Sequence, residues 1–220
     1  MNWADAGFDV FGTRVLWTDL AGNIAALSTV LLAMRKSIWT WPVQLAGSVL
    51  LFIASINAAL TGNALKQVLF GVLAVYGWWA WRNGTEGGKQ LAVRPATGRE
   101  RLVLGVALVA GTVVVGLLLF VTGWSWGAHE PLPKGAFLVA ADAYIFVGSA
   151  VATWAQGRAL VDFWLVWVAV DLVGVPLAFN SGLVVSGAVY GLFFVLVVVG
   201  FVTWLREYRA GGRTRMAVAS

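Results

Sequence analysis

The chain has 220 residues, of which 60% are hydrophobic and only 11% are charged, and its mean hydropathy is +0.83. Because soluble domains carry about 25% charged residues, this composition excludes a water-soluble enzyme, and the high hydrophobicity also excludes a disordered chain. The absence of cysteine excludes disulfides and thiolate metal sites. A membrane protein with several spanning helices remains, in which the net charge of +5 is better explained as a topology signal than as a nucleic-acid-binding surface.

Apolar stretches bounded by charged or turn-forming residues follow one another along the chain and are typical of membrane-spanning helices. In chain order, the predicted helices are residues 18–34, 40–60, 65–82, 102–123, 137–156, 163–180 and 183–205. Residues 1–17 are predicted to be a separate N-terminal segment and residues 206–220 a tail. The connection formed by residues 83–101 is rich in glycine and charge and is predicted to be a solvated linker.

The positions of lysine and arginine predict how these helices are oriented in the membrane. If the N-terminus lies outside, all of the 15 Lys and Arg residues except Arg14, Lys66 and Lys134 fall in segments on the cytoplasmic side. Cytoplasmic segments of membrane proteins carry such an excess of positive charge. We therefore predict an outer N-terminus and a cytoplasmic C-terminus, with the linker and the tail both in the cytoplasm.

The sequence repeats itself after a shift of 123 residues, which carries the first three predicted helices onto the last three without a gap. Matches between Leu and Val are expected by chance in apolar helices, whereas matches at rarer residue types are not. The matched pairs include Asp19 and Asp142, Arg35 and Arg158, Trp41 and Trp164, and Asn57 and Asn180. Common chemistry at helix ends explains some of these pairs but not their constant spacing, so we interpret them as an internal duplication.

Three helices in each repeat have a consequence for the topology. A second triplet joined directly to the first would be upside down, and one extra helix, residues 102–123, restores its orientation. The predicted fold class is therefore an all-α polytopic membrane protein of seven transmembrane helices, in a SWEET-like 3+1+3 arrangement of parallel repeats. Residues 18–82 and 137–205 are the two repeats, and helix 102–123, whose most polar residue is threonine, is predicted to be an inverting linker that faces lipid.

Asp171 is the clearest candidate functional residue, because ionisable side chains inside a membrane are costly and mark functional sites. It lies nine residues into its predicted helix, or roughly 14 Å, near the middle of an apolar core about 30 Å thick. Trp164 and Trp167 share its helix face, and two indoles with a carboxylate suit a flat, hydrogen-bonding aromatic ligand. The alternatives are an interhelical hydrogen bond for the acid and an interfacial aromatic belt for the tryptophans.

The repeat places Trp41, Gln44 and Ser48 at the positions equivalent to these three residues. The two predicted walls of a ligand path therefore differ in chemistry, as an asymmetric ligand requires. Further ligand-binding candidates, each with simple interhelical hydrogen bonding as the alternative, are Asn23, Gln67, Tyr144 and Tyr190. The sequence contains no nucleotide-binding loop, catalytic triad or metal-ligand cluster, so neither an enzyme nor a cofactor is predicted, and ion coupling stays open.

Longer motifs are present in both repeats. They are SIWTWPVQLAGSVLLF and LKQVLFGVLAVYGWWAW in the first, and ADAYIFVGSAVAT, FWLVWVAVDLVGVPL and AVYGLFFVLVVVGFVTWL in the second. From about residue 18 to residue 206 the chain resembles the PnuC family of vitamin transporters, and within it the riboflavin branch, called PnuX or RibM. The resemblance implies a 3+1+3 facilitator in the bacterial cytoplasmic (inner) membrane that takes up riboflavin down its gradient, with phosphorylation inside the cell as the trap.

Other functions stay open at this point. Nicotinamide riboside or thiamine is the alternative substrate within the same family. A non-transporting membrane subunit, which would give no flux when purified, is a hypothesis from another class, and an intramembrane enzyme is disfavoured because no nucleophile–base pair is visible. Riboflavin and the lipid bilayer are the expected partners, nucleic acid is not expected, and a homo-oligomer is left open.

Overall fold

A computed structural model describes residues 6–10, 13–57, 61–84, 91–180 and 184–219. Within them the chain forms seven α-helices, preceded by two short antiparallel strands, β1 (Gly7–Val10) and β2 (Thr13–Leu16). The helices are α1 (Trp17–Met34), α2 (Thr40–Asn57), α3 (Thr61–Gly84), α4 (Gly98–Thr122), α5 (Lys134–Gly157), α6 (Phe163–Asn180) and α7 (Val184–Ala219). Each predicted span coincides with one helix, so the all-α polytopic class is confirmed, while the parallel orientation of the repeats stays a prediction.

Most helices keep their predicted bounds within a few residues, with one large difference at the C-terminus. The predicted seventh span ends at residue 205, whereas α7 continues to Ala219. The residues added include four arginines and a glutamate, and hydropathy detects only the part of a helix that is apolar. The described residues do not include the predicted helix ends at residues 60 and 183. They also do not include residues 1–5 and 11–12 of the predicted outer segment or residues 85–90 of the predicted linker.

The chain divides into two compact units, residues 1–86 and 87–220. In the first unit, α2 packs against both α1 and α3. In the second unit, α5 packs against α4 and α6, and α6 packs against α7. The helix α4 contacts α5 along one side and leaves most of its apolar surface exposed, as expected for a helix that faces lipid.

The two helix triplets share details of local geometry that the sequence repeat predicts. Under the shift of 123 residues, α2 and α6 have the same bounds, and α3 and α7 begin at equivalent residues. An arginine caps the C-terminal end of both α1 and α5, Arg35 after α1 and Arg158 after α5. The next residue in each chain segment, Lys36 and Ala159, has a positive φ of 54° and 53° respectively. Because such a backbone is uncommon for residues other than glycine, its recurrence at equivalent positions indicates one local fold built twice.

A contact between two tryptophans forms part of the core of the first unit. Trp41 on α2 is 0% exposed, and its ring meets that of Trp81 on α3 edge to face, with the centroids 5.2 Å apart. Gly77 on α3 lies directly beneath the Trp41 ring, and a Cβ atom at this position would overlap the indole. Glycine at this position therefore allows the two helices to approach closely.

The second unit contains the equivalent contact. Trp164 on α6 is 1% exposed and meets Trp204 on α7 edge to face, with the centroids 5.9 Å apart. Phe163 packs against both rings. A Cβ atom at Gly200 would overlap the Trp164 indole, so the tryptophan–glycine–tryptophan contact is a shared part of the repeat scaffold.

Substituting either of these glycines with alanine is expected to destabilise the protein. In Gly77→Ala and Gly200→Ala the added methyl group must displace a buried indole, and overpacking of this kind costs about 1–3 kcal/mol. Thermal unfolding of the purified protein in detergent should show a lower midpoint for both variants. Gly105→Ala on α4, where nothing lies within 4 Å of the new atom, is the matched control, and a Gly200→Ala variant that melts like the wild type would contradict the contact.

Candidate functional site

Asp171 lies on α6 in the second unit and is 6% exposed. Its Oδ2 atom has no hydrogen-bond partner among the described residues. A buried carboxylate oxygen without a partner is costly, so this atom calls for a proton, a water molecule or a ligand donor. Tyr190 on α7 is exposed and lies within electrostatic range of Asp171. The acid and the phenol therefore lie at the seam between α6 and α7.

The first unit has a groove at the equivalent place, between α2 and α3. Its volume is about 220 Å³. The residues that line it are Ser48, Val49, Phe52, Gln67, Val68 and Gly71. Ser48 is the repeat partner of Asp171, and Gln67 is the repeat partner of Tyr190. Each unit thus places a pair of polar side chains at the seam between the second and third helices of its repeat, with a hydroxyl and an amide in one unit and a carboxylate and a phenol in the other.

Trp41 and Trp164 do not present free ring faces at these seams. Both rings are enclosed in the cores of their units by other aromatic rings, so in this structure their faces are not available for stacking on a ligand. The indole Nε1 atoms of both residues have no hydrogen-bond partner in the described part of the chain. The helical spacing places Trp164 on the same face of α6 as Asp171, but it does not reveal that α7 covers the Trp164 ring.

Trp167 is the indole that stays partly accessible on α6, one helical turn before Asp171. Gln44 is also half-buried and lies one turn before Ser48 on α2. The two remaining predicted residues are half-buried on neighbouring helices, Asn23 on α1 and Tyr144 on α5. The structure therefore brings Asp171 together with Tyr190 and Ser48 together with Gln67, and Trp167 is a partly accessible indole one turn before the acid on α6.

A charged cluster that the sequence does not predict lies at the start of α4. Arg94 donates to both carboxylate oxygens of Glu100, at 2.6 and 2.7 Å, and Glu100 forms a capping box with Thr97 at the start of α4. The Arg94 hydrogen bonds, together with the Thr97 backbone N–H, hold the pKa of the Glu100 carboxyl well below its usual range. The capping box signal, Thr97 three residues before Glu100, is readable from the sequence, but the Arg94 contact is not.

A family model described as nicotinamide mononucleotide transporter matches residues 16–206. The chain is 41% identical to the riboflavin/roseoflavin transporter RibM of Streptomyces davaonensis, over 97% of this chain and 96% of that protein. It is 25% identical to the nicotinamide riboside transporter PnuC of Escherichia coli, over 91% and 90% of the two chains. The crystal structure of the vitamin B3 transporter PnuC has the same fold, with a TM-score of 0.63 at 19% identity over 88% of this chain and 83% of that one.

The depressed pKa of Glu100 predicts how its contribution to stability varies with pH. A carboxyl whose pKa is lower in the folded state stabilises the fold above its unfolded pKa of about 4.3, and this contribution disappears as the pH falls through the lower, folded value. The melting temperature of wild type should therefore exceed that of Glu100→Gln at pH 7 and pH 5, and the difference should shrink below pH 4. Glu130→Gln, which removes the Lys134 ion pair, is the control, and a pH-independent difference for Glu100→Gln would contradict the assignment.

Proposed function

The chain belongs to the PnuC family of vitamin transporters, and from this premise we propose that it carries riboflavin across the membrane. The observation that carries the proposal is the 41% identity, over nearly the whole length of both chains, to a transporter whose name specifies riboflavin and roseoflavin. The identity to the nicotinamide riboside transporter is 25%. Nicotinamide riboside is therefore the competing substrate for the test.

The chemistry of the two seams supports a ligand of this kind. The flavin ring system is flat and aromatic, with one apolar edge and one edge that carries an N–H donor between two carbonyl acceptors. Asp171 offers an unpaired acceptor, which an N–H or O–H group of the ligand can satisfy. Trp167, one turn before the acid on α6, offers a partly accessible indole, and the groove with Ser48 and Gln67 adds a hydroxyl and an amide. We propose that these groups contact the ligand.

The proposed mechanism is facilitated diffusion. The sequence contains no nucleotide-binding loop and no chain of acidic residues and histidines that would relay protons, so a downhill gradient is the proposed driving force. Phosphorylation of riboflavin inside the cell would keep the inward gradient in place. We propose that the protein acts in the bacterial cytoplasmic membrane with its N-terminus outside, and that the two repeats have the same orientation.

Purified protein in liposomes should take up riboflavin in preference to nicotinamide riboside or thiamine. The first measurement is quenching of flavin fluorescence on purified protein, with the other two vitamins as competitors. Preferential binding of nicotinamide riboside would overturn the substrate assignment. Binding without flux would instead favour a non-transporting subunit.

The same liposomes test the mechanism. Riboflavin flux should follow the imposed riboflavin gradient and should be unchanged by a protonophore. Flux that stops when the proton gradient collapses would contradict facilitated diffusion.

Loss of the proposed contacts on α6 should weaken riboflavin binding. A hydrogen bond to a charged group contributes about 1.5–3 kcal/mol, so Asp171→Ala should raise the dissociation constant by about 10-fold or more. Trp167→Ala should have an effect of similar size, since stacking on an aromatic side chain contributes about 1–3 kcal/mol per ring. Leu172→Ala, at an exposed neighbouring position of α6, should bind like the wild type, and wild-type affinity in both test variants would remove α6 from the site.

A further inference from the structure

The first turn of α6 is attached to the linker and to α4 through the side chain of Asp162. The backbone carbonyl of Asp162 accepts the N–H groups of Leu165 and Val166 at the start of the helix. Its carboxylate is buried and accepts the N–H of Ala96 at 2.6 Å and the Nε–H of Arg101 at 2.7 Å. We call the contact of Asp162 with Ala96 and Arg101 the latch.

Further contacts hold the linker side of the latch in place. The backbone of Arg94 exchanges hydrogen bonds with the turn between α5 and α6, donating to Ala159 at 3.3 Å and accepting from Val161 at 2.9 Å. Glu100, held by Arg94, is also paired with Arg158 at 3.4 Å. The C-terminal part of the predicted linker is therefore not simply solvated, because it is docked on the turn that leads into α6.

The first repeat folds the same turn without the carboxylate. Lys36 has the same positive φ as Ala159, but the position equivalent to Asp162 is Trp39, which is 64% exposed. An indole cannot accept the two hydrogen bonds that Asp162 accepts. The turn itself therefore does not require the latch, and the latch occurs in the repeat that contains Asp171.

We propose that Asp162 is a positioning residue for transport, holding the first turn of α6 so that Trp167 and Asp171 keep the orientation in which they meet the ligand. The proposal rests on the proposed function. A helix moves as a rigid element between packed neighbours, so freedom at Phe163 is passed along α6 to Asp171. Asp162 does not touch the ligand in this proposal and acts through the helix that it anchors.

The test compares variants that remove the latch to different degrees. Asp162→Ala removes both hydrogen bonds and should weaken riboflavin binding by roughly 3- to 30-fold, the range expected for coupling through a packed element. Asp162→Asn keeps an acceptor for Ala96 and should have a smaller effect, as should Arg101→Gln, while Arg101→Lys should bind close to wild type. Lys134→Gln breaks an ion pair with Glu130 elsewhere in the chain and should leave the dissociation constant unchanged.

A second measurement follows the order of the helix α6 directly and does not depend on the ligand. Hydrogen exchange of the α6 backbone between Phe163 and Asp171 should be faster in Asp162→Ala than in wild type, and Asp162→Asn serves if the alanine variant does not fold. A lower melting temperature with an unchanged dissociation constant would overturn the proposal. If wild-type protein binds no riboflavin, the proposed function fails, and unchanged exchange along α6 would then overturn the latch independently.

Discussion

A bilayer interior supplies no water to polar groups, and both the fold and the candidate site depend on this constraint. Helices satisfy their own backbone groups, and the hydroxyls of Thr112 and Ser149 donate to the carbonyl four residues earlier in the same helix. A carboxylate is an acceptor only, and the middle of a helix has no free N–H group to offer it. Its own helix therefore cannot satisfy the Asp171 carboxylate, which needs a proton or a donor from outside, and this is why Asp171 is the leading candidate residue of the second unit.

The internal repeat separates residues that build the scaffold from residues that distinguish the two units. The scaffold is shared, since the turn after the first helix and the tryptophan–glycine–tryptophan contact occur in both triplets. The seam positions differ, with Ser48 and Gln67 in one unit and Asp171 and Tyr190 in the other. Because packing is the same where chemistry differs, the seam residues are the positions that we propose for ligand recognition.

Much of the fold was predictable, because long apolar stretches and a constant spacing of rare residues are both local properties of the sequence. The roles of Trp41 and Trp164 were not, since helical spacing identifies a face but not the neighbouring helix that covers it. The latch was not predictable either, because Asp162 and Ala96 are separated by 66 residues and composition alone suggests a solvated linker. Hydropathy also missed the polar end of α7, which is helical but not apolar.

Because the turns after α1 and α5 have the same backbone geometry, each turn can serve as a reference for the other. Lys36 and Ala159 occupy the same strained backbone conformation in one polypeptide, under the same solvent, lipid and temperature. A residue of one turn can thus be introduced at the equivalent position of the other turn, and the two turns can then be compared within one molecule, without a second protein. Differences between the halves then report the surroundings of the turn and not the turn itself.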